Sequence, residues 1–219
     1  MCRGVRRGER LTNCIGAWYR RRHNASFTLI ELVVVFTLIL VLTGLVLSTA
    51  GYARKKGARA RAETEIAAMS AACESYKADN GVYPRTSTTD TFTAVTNRTP
   101  PDPQPTSYDP SVTAYSFASL DLYHLLSGNP SGDRTTYTQQ RYFQFKPNML
   151  LPPDGTSTVT AIRDPFGNSY GYSTAQAFYI DNPVTNPNNG FNPTFDLWST
   201  AGTSNATDAA YEQAWSKNW

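Results

Sequence analysis

The chain has 219 residues and a net charge of +3, enough for one globular domain with an additional segment. That charge averages unlike regions: residues 1–26 carry seven Arg and one Glu, whereas beyond residue 61 eight basic side chains stand against fifteen acidic ones. An acidic C-terminal part argues against nucleic-acid binding by bulk electrostatics, and removal of the N-terminal segment with Cys2 and Cys14 would leave Cys73 alone, excluding an intrachain disulfide.

Residues 1–26 lack a hydrophobic run and end in RRRHNAS. Their positive bias places them on the cytoplasmic side, with the C-terminus outward. Phe27 to Ala50 then runs with one charge, Glu31, long enough at about 1.5 Å per residue to cross a hydrocarbon core of roughly 30 Å. A carboxylate at the centre of such a helix costs about 2.5–3.5 kcal/mol, and less near the interface where Glu31 lies. An intramembrane acid is a functional residue by default and calls for a partner. Arg54, Lys55, Lys56, Arg59 and Arg61 follow and read as a collar meeting anionic headgroups.

The helical pattern continues through ARAETEIAAMSAACESYKADNG, where Ile66, Met69, Cys73 and Tyr76 recur at spacings of three and four. Cys73 reads as a small apolar residue of that stripe. Asn80-Gly81 supplies a C-cap and Pro84 a stop. The expectation is one helix of about fifty residues, apolar all round in its first half and amphipathic in its second, which needs a domain packed on the second half.

Residues 85–115, rich in Thr, Pro, Ser and Asp, read as a long exposed connection. FASLDLYHLLSG predicts a short helix with Phe117, Leu120, Tyr123 and Leu126 on one face and Gly128 at its end. From Tyr137 onward YFQF, STVTAI, SYGYS, AFYI and FDLWS alternate with turns and read as a small antiparallel sheet. The fold class is α+β. His124 reads as a half-exposed helix residue, and with His23 as the other histidine no Ser/His/Asp or metal-histidine arrangement can be assembled. A membrane-tethered enzyme or carbohydrate-binding module is the reading from a different class, suggested by the aromatic C-terminal half. Tyr and Trp at sheet spacing read more simply as core or interface.

SFTLIELVVVF, followed by a helix closing at ESYKADNGVYP, resembles the type IV pilin and pseudopilin family, whose signature is a basic leader, a cut before Phe and Glu as the fifth mature residue. RDPFGNSYGYS (163–173) and the closing FDLWSTAG, Asp208 and Asn218-Trp219 resemble major pseudopilins of type II secretion systems. The resemblance implies a pilin-like fold, a long N-terminal helix packed on a small antiparallel sheet. It divides the chain into a cleaved cytoplasmic leader (1–26), a transmembrane and fibre-core helix (27–50), an amphipathic continuation (51–83) and a periplasmic globular domain (84–219).

It further implies a non-enzymatic subunit of a periplasmic pseudopilus in type II protein secretion, single-pass in the bacterial inner membrane until assembled. The alternative within the family is a type IV pilin of a surface fibre for adhesion, motility or DNA uptake. A prepilin peptidase would cut between Ser26 and Phe27 and methylate the Phe27 amine. Glu31 of one subunit would pair with the Phe27 ammonium of its neighbour and set axial register. The implied partners are copies of the chain and other pseudopilins, the peptidase, an inner-membrane secretion platform and membrane lipid, with no nucleic acid.

Several residues depart from the family pattern. Ser26 stands where Gly is preferred. Ser48 stands where pilins carry Pro, which predicts a straighter helix with Gly44 and Gly51 as its weaker points. Major pseudopilins clamp a C-terminal loop with calcium. Here that role could fall only to Asp196 and Asp208, with Thr203 at an expected acid, a poor set for an ion that takes six to eight oxygens.

Overall fold

A computed structural model describes residues 28–92, 113–182, 190–202 and 215–219, with the backbone alone for Ser48 and Thr49. The chain divides into two compact units, Met1–Ser48 and Thr49–Trp219. The first helix, α1 (Leu29–Asn80), contributes to both. In the first unit its large apolar side chains from Leu29 to Leu47 are at least half exposed. That stretch is long and apolar enough to cross a membrane. The side chain of Ser48, and with it the expected effect of its substitution for Pro, lies outside the described residues.

In the second unit α1 supplies one wall of the core. Ile66, Met69 and Cys73 are buried as their spacing predicts, with Tyr76 packed half-buried beside them. Gly81 ends the helix at φ +77°, where its N–H donates to the Lys77 carbonyl at 2.7 Å, as an αL cap requires. The 85–115 stretch is not all connection. It holds a five-residue helix, α2 (Ser87–Thr91), started by a reciprocal cap between Thr86 and Thr89. Thr89 and the following Phe92 are buried. The Ser/Thr content that suggested a loop is what caps and anchors this turn. Residues 93–112 lie outside the described residues.

Helix α3 (Thr113–Ser127) ends as expected at Gly128, φ +69°, but its buried face differs from the predicted one. Tyr115, Ala118, Ser119, Leu122, Tyr123 and Leu126 are buried while Phe117 is 55% exposed. Ser119 belongs to the inner face because its hydroxyl accepts the Ile162 N–H at 2.7 Å. The YFQF segment, read as a strand, forms none. The amides of Tyr142 and Phe143 donate to the Leu126 carbonyl, and those of Thr138 and Gln139 to the Gly128 carbonyl. The open carbonyls at the end of α3 thus take the donors that a sheet would have used.

Two small antiparallel sheets complete the unit. Strand β1 (Leu150–Leu151), after a single 3-10 turn, pairs with β2 (Ala161–Ile162). In the second sheet β3 (Gly171–Ser173), β4 (Asp196–Ser199) and β5 (Ser216–Lys217) lie in that order. AFYI, also read as a strand, lies in helix α4 (Ala175–Asp181). One core joins α1, α3 and both sheets through Met69, Cys73, Leu122, Ile162, Tyr172 and Leu197. A second, aromatic core holds Phe92, Tyr115, Trp198 and Trp215.

The 163–173 motif is the hinge of this arrangement. Asp164 is buried, and one of its oxygens accepts the N–H groups of Phe166 and Asn168 at 3.0 and 2.8 Å. The other oxygen accepts the Ser199 hydroxyl at 2.6 Å. Burial pushes the Asp164 carboxyl above its usual range, opposed by these hydrogen bonds. The turn from β2 into β3 is thereby tied to β4.

Candidate processing and assembly site

The first described residue, Thr28, begins the helix by a mechanism its sequence encodes. Its backbone N–H and its hydroxyl both donate to one Glu31 carboxylate oxygen, at 2.9 and 2.8 Å, while the Glu31 N–H donates to the Thr28 hydroxyl oxygen at 3.3 Å. This is a capping box, in which two groups left open at a helix start satisfy each other. The carboxylate also sits at the positive end of the helix dipole, where a charge gains about 0.3–1 kcal/mol. Glu31 is therefore not an uncompensated acid in the single chain. Thr-x-x-Glu before an apolar run was readable in the sequence, and the significance of Thr28 was the functional signal missed there.

Around this cap the surface is otherwise apolar. Leu29, Ile30, Leu32 and Val33 are all at least half exposed, and the next charged residue along the chain is Arg54. Ser26 and Phe27, the residues of the expected cut, lie outside the described residues. The Thr28→Val substitution should remove the hydroxyl half of the cap, at about 1 kcal/mol. The expected result in detergent micelles is faster hydrogen exchange at the Glu31 amide with the helix beyond Val35 unchanged.

The residues 21–47 match the prokaryotic N-terminal methylation motif. Over 89 residues, 41% of this chain, it is 32% identical to the type II secretion system core protein G of Aeromonas hydrophila. The chain spans 61% of that relative's length. No solved structure matches. The chain thus carries an N-terminal methylation motif and is similar over part of its length to a type II secretion core protein. The exposed apolar helix that carries the motif is long and apolar enough to serve as a membrane anchor.

The other candidate residues fall elsewhere. Asp196 is buried on β4, where its two oxygens accept the N–H groups of Phe191 and Asn192, each at 2.8 Å. It anchors the turn leading into its own strand. Asp208 and Thr203 lie outside the described residues, and no group of three His, Cys, Asp or Glu side chains is placed to hold a metal among the described ones. With both oxygens already accepting amides, Asp196 adds little to the six to eight oxygens that calcium takes. His124 is half-buried, and burial pushes its imidazole below its ordinary value.

In the basic collar, Arg59 and Arg61 pair along the helix with Glu63 at 3.3 Å and Glu65 at 2.7 Å. Arg54, Lys55 and Lys56 are exposed. The collar thus consists of three open cations followed by two paired ones.

Proposed function

We propose that the chain is a structural subunit of a periplasmic pseudopilus in type II protein secretion, processed at its N-terminus and assembled through α1. The observation that carries this is a methylation motif laid over a helix whose large apolar side chains are at least half exposed. Such a surface is stable only in lipid or against other helices. The similarity to an A. hydrophila core protein of type II secretion favours a pseudopilus over a surface fibre.

In this reading a prepilin peptidase cuts before Phe27 on the cytoplasmic side and the C-terminal unit stands in the periplasm. The new Phe27 ammonium of one subunit meets Glu31 of its neighbour. Two charges about 4 Å apart attract strongly where water is excluded, and desolvation takes back much of the gain, so the pair sets register more than cohesion. Cohesion comes from the apolar helix. The globular unit's part of α1 offers an approach surface as well: Gly57, Ala60, Thr64, Ala67, Ala71 and Ser75 are exposed at spacings of three and four. Small residues in that pattern let a second helix come close.

Mass spectrometry of the chain from the membrane fraction of a host with its own peptidase tests the reading. An N-terminus at N-methyl-Phe27 is the expected result. A leader left intact on fibre-incorporated chains would overturn it.

A further inference from the structure

The basic collar on α1 lies beyond residues 21–47, which carry the methylation motif, and the assembly proposed above leaves it unused. Arg59 and Arg61 are engaged by Glu63 and Glu65. The side chains of Arg54, Lys55 and Lys56 are exposed and take part in no ion pair or hydrogen bond among the described residues. Nor does anything described pack beside them: nothing lies within 4 Å of the place a Cβ would take on Gly51 or Gly57. These three open cations stand out in a unit that beyond residue 61 carries eight basic against fifteen acidic side chains.

Their place along the helix points to the partner. At about 1.5 Å per residue, about twenty residues counted from Leu29 cover a hydrocarbon core of roughly 30 Å and end at Ser48. The headgroup layer adds about 5–8 Å on each side, or roughly the next four or five residues. Tyr52 falls there, 71% exposed, and tyrosine is a side chain that membrane–water interfaces favour. Arg54, Lys55 and Lys56 follow at the outer edge of that layer, where long stems can bend back to the phosphates.

Their directions favour the same partner. Successive helix residues turn by about 100°, so the three cations spread over about 200° of the helix surface within about 3 Å of its length. An acidic patch on a second copy would lie to one side and leave part of that arc unmet. A plane of anionic headgroups surrounds the helix and meets all of it.

We propose that Arg54, Lys55 and Lys56 bind anionic phospholipid headgroups in the leaflet at the C-terminal end of the apolar run, with Tyr52 seated beside them. The contact selects the lipids around a single subunit. It requires the apolar run to span a bilayer, and it depends neither on N-terminal processing nor on the fibre.

The test uses the full chain, one copy per nanodisc, in phosphatidylcholine alone or mixed with phosphatidylglycerol. Acetic anhydride, an uncharged reagent, is added, and the acetylation rate of each lysine is read by mass spectrometry. Phosphatidylglycerol should slow Lys55 and Lys56 about tenfold or more, while Lys146, exposed elsewhere in the globular unit, keeps its rate. Salt at about 1 M, where screening shortens the reach of a charge to about 3 Å, should restore both rates. Arg54→Gln should raise the phosphatidylglycerol fraction needed for half-protection about fivefold, the worth of one cation at an anionic surface. Equal rates in the two lipids, or protection that Arg54→Gln leaves intact, would overturn the proposal. Protection that ignores phosphatidylglycerol and arises only with two or more copies per disc would overturn it too, and would assign the collar to a neighbouring copy.

Discussion

Glu31→Ala is expected to abolish fibre assembly while leaving the globular unit folded with an unchanged melting temperature. Among the described residues the side chain hydrogen-bonds to Thr28, and it is no part of the core around Met69 and Leu122. The substitution removes two things together, the reciprocal cap and the negative charge. Glu31→Gln separates them, because Gln at the same helical position still accepts from Thr28 in a capping box.

If the carboxylate meets the Phe27 ammonium of a neighbour, Gln should fail almost as completely as Ala, since a neutral amide offers no ion pair. Fibres counted after overexpression, with the subunit's abundance and N-terminal methylation followed in parallel, are the measurement. Normal fibres from Glu31→Gln alone would reduce the residue to a helix cap. Normal fibres from Glu31→Ala as well would remove it from assembly altogether.

The second large effect lies in the core. Gly171→Ala should lower the melting temperature of the globular unit by roughly 6–12 °C, on about 3 kcal/mol of overpacking and about 2–4 °C per kcal/mol for a chain of this size. A Cβ at Gly171 would stand 2.2 Å from Cε2 and 2.3 Å from Cζ2 of Trp198, far inside contact distance. The indole cannot swing aside. It is fully buried, stacks on Trp215 and Phe92, and donates its Nε1–H to the Tyr115 hydroxyl at 3.0 Å. Gly57→Ala is the control: nothing lies within 4 Å of that site, and in an exposed helix the change should be neutral or stabilising by up to about 1 kcal/mol. Thermal melts of the two variants followed by near-ultraviolet circular dichroism should diverge accordingly.

What the sequence could and could not convey follows from where each signal is stored. The long helix was legible because its apolar run and its three-and-four stripe repeat over many turns, and both its end at Gly81 and its buried Met69 and Cys73 lie as read. The helix α2 was hidden because Ser, Thr and Asp favour loops until a partner such as Thr174, 2.7 Å from Thr89, makes a capped turn worth forming. YFQF and AFYI carry β-type residues, yet the first feeds its amides to the end of α3 and the second coils into α4. Those outcomes depend on distant neighbours, which no local pattern records. At the site, Glu31 stood out as a charge among apolar residues. Its tie to Thr28 was equally local and was masked by the larger question of an intermolecular partner.

Cys73 sits at the junction of α1 with the sheet, fully buried, and burial pushes its thiol far above the usual range. A thiolate is the species that attacks disulfides and alkylating reagents. Subunits crowded together in an oxidising compartment would therefore not cross-link through this residue while folded. The same burial makes it a native clock: the rate at which a thiol reagent labels Cys73 reads how often α1 lifts from the sheet, without any introduced probe.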